Sequence, residues 1–182
     1  EEALRSVANH PVEVTCAGRT DTGVHAIGQV VHFDTCSARD NRGWLLGANS
    51  NLPDDISVRW ARQVDEEFHA RFSATARHYR YRILNRLERS AIHRHWAWWI
   101  YQPLDAQRMH DAAQQLMGEH DFSAFRAAGC RANTPNREIT NVAVTRDRDW
   151  LTLTVTANAF LQHMVRNITG SLVKVGVGEA PP

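Results

Sequence analysis

The sequence predicts an α+β fold. Segments that alternate apolar and polar residues outnumber those with helical periodicity. Their order along the chain is irregular, without the strand–helix–strand rhythm that a parallel α/β sheet requires. Size and composition fit: 182 residues, 43% hydrophobic and 23% charged, suffice for one medium domain or two small lobes and argue against a disordered chain.

The elements follow in order. Residues 1–9 read as the end of a helix that stops before Pro11. Val12, Val14 and Cys16 alternate with polar neighbours, which predicts a half-buried strand. A loop, Ala17 to Ala26, precedes a second strand from Gln29 to Asp34. The spacing predicts a helix over 42–51, a turn at Pro53-Asp54-Asp55 and a strand over 56–64. Residues 72–84 and 95–101 also read as strands. Asp105 is placed to cap a helix whose Met109, Ala112, Ala113, Leu116 and Met117 form one face, closed by Gly118. Val142 and Val144 mark a strand paired with Leu151, Leu153 and Val155, through a polar connection at 146–149. Leu161, Met164, Val165, Ile168, Leu172 and Val175 fall on one side of a last helix.

Composition excludes several function classes. Cys16, Cys36 and Cys130 are widely spaced and form no CxxC pair, so they read as free thiols of a reducing cytoplasm. His93 and His95, with His25 or His32, lack metal-ligand spacing, and no metal site is assigned. No apolar run reaches the ~20 residues of a membrane helix, and neither a GxxxxGK loop nor a GxSxG elbow is present. The formal net charge is only +1, yet of 21 basic residues all but Lys174 are arginine, the side chain suited to phosphates and carboxylates.

Three features carry candidate chemistry. The loop Ala17–Ala26 holds one carboxylate, Asp21, and one guanidinium, Arg19, between two strands. A nearby positive charge favours the ionised carboxylate, which is the form of a nucleophile or base; Asp-Thr-Gly is equally ordinary turn chemistry. Between Phe68 and His95, Arg71, Arg77, Arg80, Arg82, Arg86, Arg89 and Arg94 face a single acid, Glu88. There Tyr79 and Tyr81 alternate with Arg80 and Arg82, so a strand would carry tyrosines on one face and arginines on the other. That pattern favours a polyanion partner, with arginines for phosphates and aromatic rings for unpaired bases, over a merely solvated edge strand. Trp96, Trp98 and Trp99 are assigned to the core or an interface. On the last helix, Arg166 lies off the apolar stripe near His163 and Gly170, as a solvent-facing helix surface also would.

Four segments then resemble one family in order. Cys16-Ala-Gly-Arg-Thr-Asp-Thr-Gly-Val-His-Ala26, Asn51-Leu-Pro-Asp-Asp-Ile56, Phe68-His-Ala-Arg-Phe-Ser-Ala-Thr-Ala-Arg-His-Tyr-Arg-Tyr81 and Ala157-Asn-Ala-Phe-Leu-Gln-His-Met-Val-Arg-Asn167 are similar to motifs of bacterial tRNA pseudouridine synthase A. The resemblance runs through the whole chain. It implies an isomerase that converts uridine to pseudouridine at positions 38 to 40 of the tRNA anticodon stem-loop. No cofactor, metal or ATP is implied, and the enzyme is expected in the cytoplasm as a homodimer with the RNA touching both subunits. Two similar lobes would share a mostly antiparallel sheet flanked by helices, residues 1–102 and 103–182, with the catalytic cleft between them. The resemblance makes Asp21 the catalytic aspartate, Arg19 the arginine that helps displace the target base, Tyr79 the tyrosine that stacks on the uracil and Arg166 the arginine that pairs with the carboxylate. Family members begin with a strand bearing Asp-Gly and Gly-Trp-Gln-type motifs and end with a further helix and a strand with a Gly-Leu-type segment. Neither is found here, so the chain is expected to be truncated at both ends, its first strand and its last helix and strand missing. A catalytically incomplete fragment that retains RNA binding is the alternative.

Overall fold

The computed structural model describes residues 1–181. It has the α+β composition that the alternation predicts, with four α-helices and two separate sheets. By its internal contacts the chain divides into two units, Glu1–Ala74 and Thr75–Pro182.

In the first unit, helix α1 (Glu2–Ala8) packs on helix α2 (Asn41–Asn51), and strands β1 (Thr15–Cys16) and β2 (Val31–His32) form a short antiparallel ribbon. Asp40 caps α2 by accepting from the Gly43 N–H at 2.6 Å. Val7, Ala8, Val12 and Trp44 make the core, with Phe33 edge-on to Trp44 at 5.0 Å. The helices cross closely at Gly47, where an added Cβ would sit 2.8 Å from Val7 Cγ2. Both strands are much shorter than their alternation predicts, and no strand forms over 56–64. The Asn49 side chain explains the latter in part: it donates to the Val58 carbonyl and accepts from the Val58 N–H, both at 2.8 Å. The segment is thereby pinned to α2, and its apolar Ile56, Trp60 and Val64 point into solvent.

The second unit is built on a five-stranded sheet in the order β4-β3-β7-β6-β5. These are β3 (Arg77–Asn85), β4 (Trp98–Ile100), β5 (Gly118–Asp121), β6 (Asn136–Asp147) and β7 (Trp150–Ala157). All neighbours are antiparallel except β3 and β4. The β6–β7 hairpin turns through Arg148 and Asp149, with Arg148 at φ 53°. In β7 each residue from Leu151 to Ala157 alternates between buried and half-buried. Leu151, Leu153 and Val155 face helices α3 (Ala106–Gln114) and α4 (Met164–Val177) in a core with Ile83, Met109, Phe122 and Ile168. As the sequence predicts, Asp105 caps α3, accepting from Gln107 and Arg108 N–H at 2.9 and 3.0 Å.

Two polar side chains of this unit are buried, Thr169 of α4, whose hydroxyl donates to the Val165 carbonyl, and Asn85 of β3. Asn85, 8% exposed, donates to the carbonyls of Ile100 and Gln102, and its Oδ1 accepts from the Leu104 N–H and from Arg146 Nη2. It thus ties the end of β3 to β4, to the 102–104 connection and to β6. Every amide atom is used, so burial is tolerated.

Asn85→Ala leaves the Arg146 guanidinium and the Leu104 N–H short of an acceptor. It should destabilise the second unit by about 2–3 kcal/mol in urea unfolding, from the ~1–3 kcal/mol cost of an unsatisfied buried group. Gly47→Ala overfills the α1–α2 crossing and should cost the first unit about 1–3 kcal/mol.

Candidate functional site

The loop Ala17–Ala26 is held at its neck. Cys16 pairs with Val31, the Ala17 N–H donates to the Val30 carbonyl at 2.8 Å, and Gln29 Nε2 donates to the Gly18 carbonyl at 2.5 Å. At the tip the Val24 N–H closes a turn on the Asp21 carbonyl at 3.0 Å. Gly23 takes φ +80°, an angle L side chains resist, so the turn requires glycine there. Arg19, just before this turn, and Asp21, its first residue, are both exposed. A short ribbon therefore leaves one carboxylate and one guanidinium, two residues apart, on an exposed loop.

Tyr79 and Arg166 belong to the second unit. The register of β3 puts Arg77, Tyr79, Tyr81 and Ile83 opposite Ala157, Val155, Leu153 and Leu151, on the helix-covered face. Arg80 and Arg82 lie on the other face opposite Thr154 and Thr152, the two-faced strand that the alternation predicts. Arg82 stacks on Trp150, guanidinium to ring centre 4.1 Å. Tyr79 and Tyr81 are half-buried against the core. Phe160 meets Tyr79 edge-on at 4.9 Å, and Trp98 meets Tyr81 at 6.5 Å. Only β4 covers the outer edge of β3, from Ile83 to Asn85; among the described residues no strand pairs with Arg77–Arg82 on that side.

Arg166 projects from the first turn of α4, exposed and off the buried stripe of Met164, Ile168, Leu172 and Val175. His163 precedes the helix at φ 61°. Arg166 and Trp98 share the wall of an open groove of about 520 Å³ with Asn167, Gly170 and Lys174. Gly170 borders open space, since a Cβ there would meet nothing within 4 Å. Arg166 also acts on Tyr81. Burial pushes that phenol above its ordinary pKa, and the nearby guanidinium opposes the rise. The structure thus leaves Arg19 and Asp21 on one exposed loop of the first unit, with Tyr79 on β3 and Arg166 on α4 of the second, where Arg166 acts on Tyr81.

Two local environments are set by contacts that no residue spacing announces. Cys130 accepts from the Gln162 N–H at 3.4 Å, just before α4. That bond, one from Ala132 and the Arg126 charge hold its thiol below the ordinary range against the opposing effect of burial. Phe68 to Ser73 folds around His69, whose Nδ1 accepts from both the Arg71 and Phe72 N–H groups. Of the two places expected for Trp96, Trp98 and Trp99, the core is excluded: Trp96 is 64% exposed and Trp98 and Trp99 each 40%. They lie on a short edge strand and the turn before it. All three cysteines are free. Among the described residues no three His, Cys, Asp or Glu side chains gather as a metal site, and no helix is long and apolar enough to cross a membrane.

A model of the family described as tRNA pseudouridine synthase matches residues 1–73 and 112–182. Curated relatives align over the whole chain. The chain is 58% identical over 181 residues to tRNA pseudouridine synthase A of Aeromonas hydrophila, spanning 67% of that protein. It is 57% identical over 182 residues to the protein of the same name from Coxiella burnetii strain Dugway 5J108-111, and 55% identical to that of Aliivibrio fischeri strain MJ11, spanning 70% of each.

The Cys130 environment makes a prediction. Hydrogen bonds and positive charge favour thiolate, so the rate of iodoacetamide alkylation at Cys130, followed by peptide mass spectrometry, should reach half its plateau at a pH below the ~8.5 of a free thiol. Arg126→Ala should move that midpoint upward.

Proposed function

The chain belongs to the tRNA pseudouridine synthase family, and on that premise we propose that it isomerises uridine to pseudouridine in tRNA, with Asp21 as its catalytic residue. The observation that carries the proposal is the turn itself. An exposed carboxylate two residues along the chain from an exposed guanidinium, on a loop closed at its neck by backbone pairing, lies within the stretch that the family model matches.

The reaction breaks the bond from C1′ to uracil N1, turns the base and joins C1′ to C5; C5 loses a proton and N1 gains one. No net oxidation occurs. One ionised carboxylate at the sugar suffices, either by adding to C1′ or by removing the C2′ proton. A base stacked in a helix is out of reach, and extruding it costs a few kcal/mol. Arg19, two residues from Asp21, is suited to fill the vacated space and hold a phosphate. Tyr79 offers a ring against which a base can turn, and Arg166 a guanidinium for the substrate. The target is proposed to be the uridines at positions 38 to 40 of the anticodon stem-loop, and the active form a cytoplasmic homodimer. The arginines of β3 fit an RNA partner, whose binding weakens with salt because guanidinium contacts release counterions.

Unmodified tRNA carrying tritium at uracil C5 should release tritium to water when incubated with the chain. Asp21→Asn should lower that release by about a thousandfold or more, the scale of a lost acid–base or nucleophilic group, while tRNA affinity stays within about threefold of wild type. An Asn variant with wild-type turnover overturns the role of Asp21. If the chain binds tRNA with the expected salt dependence yet releases no tritium, it is an RNA-binding fragment instead.

A further inference from the structure

Three rings line up beside the ribbon that carries the Asp21 loop. His32 of β2 lies 4.7 Å from His69, and His69 stacks on Phe72 at 4.2 Å with 29° between planes. The stack is fixed by the backbone at both ends. His32 Nδ1 accepts from the Ala70 N–H at 3.1 Å, and His69 Nδ1 accepts from Arg71 and Phe72 N–H at 3.2 and 3.3 Å. The Ser73 N–H returns to the His69 carbonyl at 2.8 Å, and Ser73 Oγ accepts from the His69 N–H. At the end of the stack Phe72 is 77% exposed, and the Arg71 guanidinium stands 5.8 Å from its ring centre.

A large ring held in water by this many hydrogen bonds is not there for the core. Its chain neighbours Arg71 and Ser73 are themselves exposed and polar, unlike the contiguous apolar patch of a protein-docking surface. A rigid aromatic face with a cation beside it is instead what an unpaired nucleobase and its phosphate require, and it binds without loss of side-chain freedom. Position agrees with this. His32 pairs with Thr15, so Asp21 lies no more than ~20 Å of extended chain beyond the base of the stack.

We infer that Phe72 is a stacking platform for an unpaired nucleobase of the RNA substrate, a few nucleotides from the uridine that reacts. The inference rests on the tRNA reading above and adds a subsite that the Asp21 loop does not supply. Arg71 takes the phosphate of the stacked nucleotide, and His69 fixes the tilt of the ring.

The test is the affinity of the full chain for unmodified tRNA transcript at fixed salt, with a second transcript carrying 2-aminopurine in the anticodon loop. Phe72→Ala and Phe72→Leu should each weaken binding about tenfold or more, the scale of one lost base–aromatic stack. Phe72→Trp should bind as tightly as wild type. Quenching of 2-aminopurine should persist in Phe72→Trp and vanish in Phe72→Ala. Because Phe72 lies outside the core, the thermal midpoints of all variants should match wild type. If wild type binds tRNA but all three variants bind within twofold of it, the platform is overturned while the tRNA reading stands. Full binding by Phe72→Leu would overturn it too, since leucine keeps the apolar contact without a stacking face. A wild-type dimer that Phe72→Ala dissociates in sedimentation would make the ring a contact between copies and overturn the inference. Failure of wild type to bind tRNA overturns both readings.

Discussion

Everything in the second unit depends on the register between β3 and β7. With Tyr79 opposite Val155 and Tyr81 opposite Leu153, the tyrosines join the core that α3 and α4 cover, and Arg80 and Arg82 take the other face beside the threonines. A slip of one residue would exchange the faces, burying two guanidiniums and exposing the rings. The cost of burying unpaired charge makes such a slip untenable. Arg166 inherits its position from the same register, because α4 packs on the face that Tyr81 shares.

The first unit solves a different problem. Its two strands are only two residues each, too short to be stable alone. The work of positioning passes to side chains: Gln29 across the loop neck, Asn49 on Val58, and His32 and His69 on the segment from Phe68 to Ser73. A loop made this way has an anchored base and an open tip, which suits a residue that must meet a substrate.

How far the sequence reveals these features depends on what holds each one. The hairpin from Val142 to Val155 and the helix after Asp105 are legible because their residues repeat with the period of the structure and bury one face. The strand over 56–64 is misread because alternation reports only a tendency, and the Asn49 amide takes the hydrogen bonds that a neighbouring strand would have used. Strand β5, Gly-Glu-His-Asp, has almost no apolar residue and exists through its backbone pairing with β6, so no pattern announces it. In the candidate site, the Asp21 loop is legible from its glycines and charges. The Cys130 environment is not, since it depends on N–H groups of Gln162 and Ala132, far along the chain or without side-chain chemistry. The ring stack escapes for the same reason, since His32 and His69 are distant in sequence.

The connectivity of the sheet also sets the order in which it can assemble. β6 and β7 meet across two residues, so their pairing closes a minimal loop and can form early. β3 must then find β7 from far away, matching residues as distant in the chain as Arg77 and Ala157. Until it does, the exposed row of β7 backbone groups is a template for any other strand, including one from a neighbouring molecule. The slow step of folding and the moment of greatest risk of aggregation therefore fall on one event, the docking of the strand that carries Tyr79.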